Sequence, residues 1–250
     1  MKILDLNCQK AYNPNLKNFL SQVIASAEYD FILLQEADEK VLPMIESSGL
    51  YQSLGAINPD NKVQSHLRIL YRNNCRLESS DFLSFAKMNR LFALRGEPGF
   101  LFGVFYLGSQ KIVIGSAHLH PGLSFGIRAR EMKMVKARLL TYFSKGLPII
   151  FGGDFNLGFP WECTYARKVF IPEFSDATIN IGVTLNSLYT EKGNRIDSKI
   201  GNLLAKFGIG VKFKTDRIFT DNRTAKQSKI TARVLPNRVS DHSPVELILK

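Results

Sequence analysis

The feature that most constrains this chain is a set of short, unbroken apolar runs, each giving way to a carboxylate, an amide or an imidazole. Phe31-Ile32-Leu33-Leu34 runs into Gln35-Glu36, and Pro148-Ile149-Ile150-Phe151 runs through Gly152-Gly153 into Asp154-Phe155-Asn156. Runs this short and this uniformly apolar read as strands buried on both faces. A sheet covered on both faces requires further layers packed against it, so the chain must build a layered α/β structure.

Helical periods supply those layers. Leu16, Phe19, Leu20, Val23, Ile24 and Ala27 share a helix face over 16–27, and Glu39–Ser47 reads as a short helix. Over Arg128–Phe143, Met132, Val135, Leu139, Leu140 and Phe143 share one face, and the spacing assigns the bases of this helix to the other. Further strands are expected at Ile3–Leu6, Leu67–Tyr71, Leu147–Phe151, Phe213–Thr220, Ile230–Val234 and Val245–Leu249. Phe100–Leu107 and Lys111–Leu119 read as a hairpin across Gly108-Ser109-Gln110. Residues 157–211 read as helix and long loop. The 250 residues, 45% hydrophobic and 22% charged, are expected to form one domain over 1–250, and that balance excludes a disordered chain or a fibre.

Charge narrows the partners. The formal net charge is +11, and residues 192–238 hold twelve Lys or Arg against three acids. Such a half-molecule favours polyanions, either nucleic acid or an anionic phospholipid surface. Cys8, Cys75 and Cys163 are odd in number and show no CxxC spacing, which fits a reducing compartment and excludes a disulfide framework. The N-terminus reaches Asp5 and Asn7 too early for a signal peptide, and no run has transmembrane length. A cytoplasmic, monomeric protein is therefore expected.

The residues that close the strands suit one chemistry. Leu4-Asp5-Leu6 leads into Asn7, Ile112-Val113-Ile114 leads through Gly115-Ser116-Ala117 into His118-Leu119-His120, Phe213-Lys214-Thr215 leads into Asp216, and Val239-Ser240 leads into Asp241-His242. Each has an ordinary reading by itself. Glu36 can cap a helix, Asp154 can serve a turn, His118 can be a core histidine and Asp241 can cap a turn. Together they recur at strand ends, where layered α/β proteins build ligand sites. Glu36, Asp154 and Asp241 can hold a hard cation, and Asn7 and Asn156 add neutral oxygens or orient a phosphate. His118 and His242 can stabilise or protonate oxygens, and Asp216 can fix the tautomer of one histidine. Metal-assisted hydrolysis of a phosphate ester uses all of these groups.

These segments resemble the endonuclease/exonuclease/phosphatase superfamily, which has the DNase I-like fold. The similarity runs from Lys2 to Leu249 through Leu6-Asn7, Leu34-Gln35-Glu36, Ile69-Leu70-Tyr71-Arg72, Ser116-Ala117-His118-Leu119, Gly152-Gly153-Asp154-Phe155-Asn156, Thr215-Asp216-Arg217-Ile218-Phe219 and Ser240-Asp241-His242-Ser243-Pro244. The resemblance implies a four-layer α/β/β/α sandwich of two facing mixed sheets flanked by helices. It implies Glu36 as the main Mg²⁺ ligand, with Mn²⁺ able to substitute, and Asn7 and Asp241 nearby. It implies that Asp154 and Asn156 position water and phosphate, that His118 stabilises the transition state, and that Asp216 pairs with His242. Asp154 and His242 are joint candidates for the base.

Departures from the family sort the subgroups. Gln9 stands where several DNA-repair members carry an acid or Asn. His118 disfavours the abasic-site endonucleases, and the His118-Leu119-His120 segment is nearer the lipid phosphodiesterases and deadenylase-like members. Arg128, opening a basic helix, and Trp161, close behind Asn156, are the substrate-binding candidates. The expected activity is a nuclease or other nucleic-acid phosphodiesterase. The alternatives are a phospholipid phosphodiesterase or phosphoinositide phosphatase and, more remotely, a non-catalytic polyanion-binding module.

Overall fold

Side chains alternate faces along a strand, so every second residue of these apolar runs points the same way. In the computed structural model Ile3, Phe31, Leu33, Ile112, Ile114, Ile150 and Ile218 meet in one core, while their neighbours Leu4, Ile32, Val113, Ile149 and Phe219 turn outward into two others. Three cores require four layers. The structure describes residues 1–9, 14–37, 39–57, 64–85, 98–121, 125–182, 184–186, 212–213, 215–236, 239–240 and 242–250.

The first sheet has the order β13-β14-β1-β2-β4-β3, from β1 (Lys2–Asn7), β2 (Phe31–Gln35), β3 (Tyr51–Ile57), β4 (Gln64–Arg72), β13 (Ile230–Val234) and β14 (Val245–Leu249). The second has the order β5-β6-β7-β8-β12-β9, from β5 (Cys75–Ser84), β6 (Gly99–Leu107), β7 (Gln110–His118), β8 (Ile149–Asp154), β9 (Phe174–Asp176) and β12 (Asp216–Asp221). Both sheets are mixed, because β1 runs parallel to β2 and β7 parallel to β8. β10 (Leu185–Asn186) and β11 (Lys212–Phe213) form a separate ribbon. The expected strand over Phe213–Thr220 is thus two strands in two different sheets.

Helices α1 (Pro14–Ser26) and α2 (Leu42–Ser48) cover the first sheet through Leu16, Leu20, Ile24 and Ile45. Helices α3 (Phe125–Phe143) and α4 (Pro160–Phe170) cover the second through Met132, Val135, Leu139, Ala166 and Phe170. A short α5 (Asn222–Gln227) follows β12, capped by Asp221, whose carboxylate accepts from the amides of Arg223 and Thr224. Phe151 anchors the outer core of the second sheet. Its ring stacks on Phe219 at 5.2 Å and meets Phe170 and Phe174 at 5.1 and 5.3 Å. Burying an aromatic side chain of this kind contributes roughly 1.5–3 kcal/mol. All three cysteines are free, and among the described residues no helix is long and apolar enough to cross a membrane.

Candidate active site

The inward-facing rows of both sheets turn from apolar to polar at the same end. The row Ile3, Asp5, Asn7 lies beside Phe31, Leu33, Gln35, with Asn7 registered against Gln35. On the facing sheet the rows are Ile112, Ile114, Ser116, His118, then Ile150, Gly152, Asp154, then Ile218, Asp216. Register aligns His118 with Asp154 across the parallel pair and Asp216 with Asp154 across the antiparallel one. Three reactive side chains thus stand in a line across three bonded strands, at the mouth of the inter-sheet core.

Glycine makes the line possible. A Cβ on Gly153 would sit 1.9 Å from the carbonyl oxygen of Ala117, and its φ of +137° is one that side-chain-bearing residues rarely adopt. Gly152 and Gly153 lie inside β8, not after it, so Asp154 remains in the strand. Backbone strain gathers at the same end. Of the four described non-glycine residues with positive φ, three are Gln9, Glu36 and Asn156, at +53°, +50° and +51°. Each such residue costs on the order of 1 kcal/mol, a cost commonly found at functional sites.

Asp154 is the hub. Its Oδ2 accepts from Asn7 Nδ2 at 2.9 Å and its Oδ1 from the Asn156 amide at 2.8 Å. His118 Nε2 and His242 Nε2 stand 3.9 and 3.8 Å from Oδ2, beyond direct hydrogen bonding. Burial raises the Asp154 carboxyl; His242 opposes this and Asp216 reinforces it. His242 Nδ1 lies 2.9 and 3.1 Å from the two oxygens of Asp216, which also accepts from Thr215 Oγ1 at 3.0 Å. Burial would raise Asp216 as well, but the His242 imidazole and these hydrogen bonds outweigh it, and the carboxyl stays below its usual value. Ser240 pins the last loop by donating to the Asn7 carbonyl at 2.8 Å and accepting from the His242 amide at 3.0 Å.

Glu36 reaches the hub from the opposite sheet, with Oε1 3.6 Å from His118 Nε2. His118 Nε2 is buried and has no hydrogen-bond partner among the described residues. Asn7 Oδ1 accepts from the Gln9 amide at 2.8 Å, and Asn156 Nδ2 donates to the Leu119 carbonyl at 2.9 Å. Asp154, Asp216 and His242 each offer a ligand atom within 4.8 Å of the others, a group that can hold a metal ion. Asp241 lies outside the described residues.

The two substrate-binding candidates part company. Trp161 is 54% exposed at the start of α4, stacked on Phe159, itself 48% exposed, with ring planes 10° apart. Arg128 is buried. Its Nη2 donates to Glu162 Oε1 at 2.5 Å and its Nη1 to the His120 carbonyl at 3.5 Å. The basic face assigned to this helix therefore excludes Arg128, which joins Met132, Val135 and Leu139 on the buried side. Glu162 Oε2 in turn accepts from the amides of Gly158 and Phe159 at 2.6 and 3.0 Å, half of a capping box at the N-terminus of α4. Arg128 thus braces the loop that presents Phe159 and Trp161.

One site residue has no counterpart among the sequence candidates. Asp5 is buried in the inward row below Asn7 and accepts from Gln35 Nε2 at 2.8 Å, while the same nitrogen approaches Ser116 Oγ at 3.0 Å. Burial, reinforced by Asp216, raises its carboxyl well above the ordinary value. The signal lay in parity, since Asp5 shares its face with Ile3 and Asn7.

The family model described as "Endonuclease/Exonuclease/phosphatase family" matches residues 6–242. The chain belongs to this family. Its members are hydrolases that act on phosphoester bonds and generally depend on a divalent metal, and the chain is a phosphoric ester hydrolase of that class. No curated protein matches by sequence. Among solved structures, TDP2 of D. rerio complexed with a single-strand DNA product is similar at TM-score 0.75 and 15% identity, covering 100% of this chain and 98% of that one. TDP2 of C. elegans is similar at TM-score 0.72 and 15% identity, with 100% and 74% covered. A mannosyl-6-phosphatase of Bacteroides thetaiotaomicron VPI-5482 is similar at TM-score 0.72 and 14% identity, with 100% and 99% covered. At these identities the likeness shows the fold, the four-layer sandwich of the DNase I-like proteins.

Proposed function

We propose that this family member is a Mg²⁺-dependent phosphodiesterase that cleaves nucleic acid, acting as a cytoplasmic monomer through a single catalytic domain over 1–250. The observation that carries the reading is the convergence of Asn7, His118 and His242 on one carboxylate oxygen of Asp154, with His242 held from behind by Asp216.

The donor chemistry fits a hard divalent cation. Glu36 extends a half-buried carboxylate from a strained backbone, and Asn7 brings a further oxygen, the ligand type that Mg²⁺ prefers. Glu36, Asn7 and Asp241 would hold the ion, and a bound Mg²⁺ supplies Lewis-acid polarisation of a phosphate oxygen. The protein's own groups do the rest. The Asp216 carboxylate faces His242 Nδ1 and selects the tautomer with the proton there, which leaves the Nε2 lone pair toward Asp154. A water bound beside these two atoms, 3.8 Å apart, would reach both; His242 or Asp154 takes its proton as its oxygen bonds to phosphorus, while the ester P–O bond on the opposite side breaks and the departing oxygen takes a proton from solvent. His118 Nε2, unpartnered between Glu36 and Asp154, donates to a phosphoryl oxygen as charge builds. The second Nδ2–H of Asn156, whose first is donated to the Leu119 carbonyl, meets a second phosphoryl oxygen.

Nucleic acid is favoured by the net charge of +11 and by the exposed Phe159–Trp161 pair behind Asn156. A base stacks on such rings, and Lys and Arg neutralise phosphates. The single-strand DNA product bound by the D. rerio relative supports the same class. The test is a panel of single-stranded oligonucleotide, plasmid DNA, single-stranded RNA, sphingomyelin, phosphoinositide and mannose 6-phosphate with Mg²⁺. Strand cleavage is expected, with Asp154→Ala lowering it by ~10³-fold or more. Equal cleavage by the variant, or turnover of only lipid or sugar phosphate, contradicts the reading.

A further inference from the structure

Five large apolar side chains are exposed among the described residues: Leu50, Phe159, Trp161, Ile171 and Ile179. Four of them lie along one path. Phe159 and Trp161 open α4 beside the catalytic loop. Ile171 closes the same helix at 55% exposure, and Ile179, at 45%, faces it from beyond β9. Between Ile171 and Ile179 lies a groove of about 460 Å³ walled also by Arg167, Lys168, Ser175 and Asp176, with the buried rings of Phe174 and Phe219 beneath. Trp161, Thr164 and Lys168 stand at i, i+3 and i+7, so one helix face leads from the aromatic pair into the groove. At 1.5 Å per residue the descent from Trp161 to Lys168 is about 10 Å.

The groove is positive despite two acids near it. Asp176 Oδ2 accepts from Arg217 Nη1 at 3.0 Å and its Oδ1 from the Thr178 amide and hydroxyl at 2.9 and 2.6 Å. Glu173 is paired with Lys136 at 2.7 Å. Arg167 donates to Thr164 Oγ1 at 3.1 Å, and neither Arg167 nor Lys168 has a carboxylate partner among the described residues. A surface that alternates rings and aliphatic side chains with uncompensated cations needs a ligand with flat apolar faces and regular negative charge.

We propose that this groove is an extension of the active site that takes the single-stranded continuation of a nucleic-acid substrate, an assignment that rests on the nuclease reading above. The strand leaves the scissile phosphate over Asn156, lays a base on the Phe159–Trp161 pair, and follows α4 downward. Arg167 and Lys168 meet its phosphates, and Ile171 and Ile179 meet a base. A single strand fits better than a duplex, because bases must be unstacked to lie on these side chains. An acidic peptide would also find the cations, but it would not need the aromatic pair that joins the groove to the site.

The experiment compares KM on labelled strands of about three and about twelve nucleotides, lengths that bracket the shorter end of typical single-strand site sizes. It uses wild type, Arg167→Glu/Lys168→Glu, and Lys145→Glu, a control for added negative charge at the far end of α3. The double variant is expected to raise KM on the long strand about tenfold relative to its KM on the short one, and to flatten the salt dependence of long-strand binding. Lys145→Glu is expected to leave the ratio unchanged. Wild-type cleavage with an unaltered ratio in the double variant overturns the groove and leaves the nuclease reading standing. An equal shift in Lys145→Glu also overturns it, because general charge would then account for the effect. Failure of the wild type to cleave either strand, while it hydrolyses a chromogenic phosphodiester, overturns the nuclease reading and the groove with it. If an acidic peptide is titrated as a second probe, loss of its binding in the double variant with strand binding unchanged likewise overturns the assignment.

Discussion

Two buried clusters of charge stand side by side at one end of the sandwich, and they are built for different purposes. His118 and His120 are two residues apart. His118 faces the open cluster of Asp154, Glu36, Asp216 and His242, where its Nε2 stands 3.6 Å from Glu36 and 3.9 Å from Asp154 and solvent reaches the Glu36 carboxylate. His120 faces the closed cluster of Arg128, Glu131 and Glu162, where Arg128 and Glu162 meet at 2.5 Å and Glu131 Oε2 accepts from the His120 amide at 2.9 Å. The residue types are nearly the same. On the mechanism proposed above the open cluster meets substrate, water and metal, whereas the closed one ties helix α3 to the loop carrying Phe159 and Trp161. Spacing does not separate them, since His120 Nδ1 and Glu131 Oε1 also stand 3.7 Å apart; access does, because the Glu36 side chain is 20% exposed while those of the closed cluster are at most 3%.

Substitutions should separate the two clusters cleanly. The largest effect is expected from Asp216→Asn, which keeps the shape but no longer selects the Nδ1–H tautomer of His242. Turnover should fall by about 10³-fold or more with little change in the urea midpoint. A variant with wild-type turnover breaks the assignment of the open cluster. Next is Arg128→Met, which leaves Glu162 and Glu131 buried without their cation. Stability should fall by about 3–5 kcal/mol in urea unfolding, while the folded fraction keeps turning over short substrate. Loss of turnover without loss of stability would move Arg128 back into the substrate site.

The smallest effect sharpens the closed cluster by pH. Burial raises the Glu131 carboxyl to about 7, against the opposing hydrogen bond from His120 and the charge of Arg128. Between the unfolded value near 4.5 and about 7, the folded chain binds this proton and the unfolded chain does not. Glu131 therefore lowers stability progressively as pH rises through that window, and its cost is fully present above it. His120 has the opposite slope, because burial, with the charges of His118 and Arg128, lowers its pKa, so its protonation on acidification favours unfolding. Glu131→Gln isolates the first contribution. It should match wild type near pH 4.5 and exceed it by about 3 kcal/mol near pH 8, read from urea unfolding at both values. A pH-independent difference would show that Glu131 ionises as it does in water.

Central strands were legible because they are apolar on both faces. The hairpin Gly99–Leu107 with Gln110–His118 lies where Phe100–Leu107 and Lys111–Leu119 predict it. β3, β5 and β9 carry no such pattern, and all three are edge strands, where water reaches one side and dilutes the alternation. Among the described residues, Asn7, Glu36, His118, Asp154, Asp216 and His242 lie together, since strand direction carries each of them to the same end of the sandwich. Arg128 was misplaced for a local reason. Its spacing to Met132, Val135 and Leu139 is that of a buried stripe, but its charge argued for the surface until Glu162, thirty-four residues away, supplied the counter-ion. Asp5 was hidden in the same manner, a carboxyl between two leucines whose partner Gln35, itself in contact with Ser116, comes from another strand.

On the proposed mechanism the open cluster works with a divalent cation held by Glu36. The most direct measurement is calorimetric titration of Mg²⁺ into wild type and Glu36→Gln, with oligonucleotide cleavage followed in parallel on the same samples. Saturable binding and cleavage are expected in the wild type, and loss of both in Glu36→Gln while the variant keeps its urea midpoint. Cleavage by Glu36→Gln at the wild-type rate, or wild-type cleavage that persists in chelator, would contradict a cation held by Glu36.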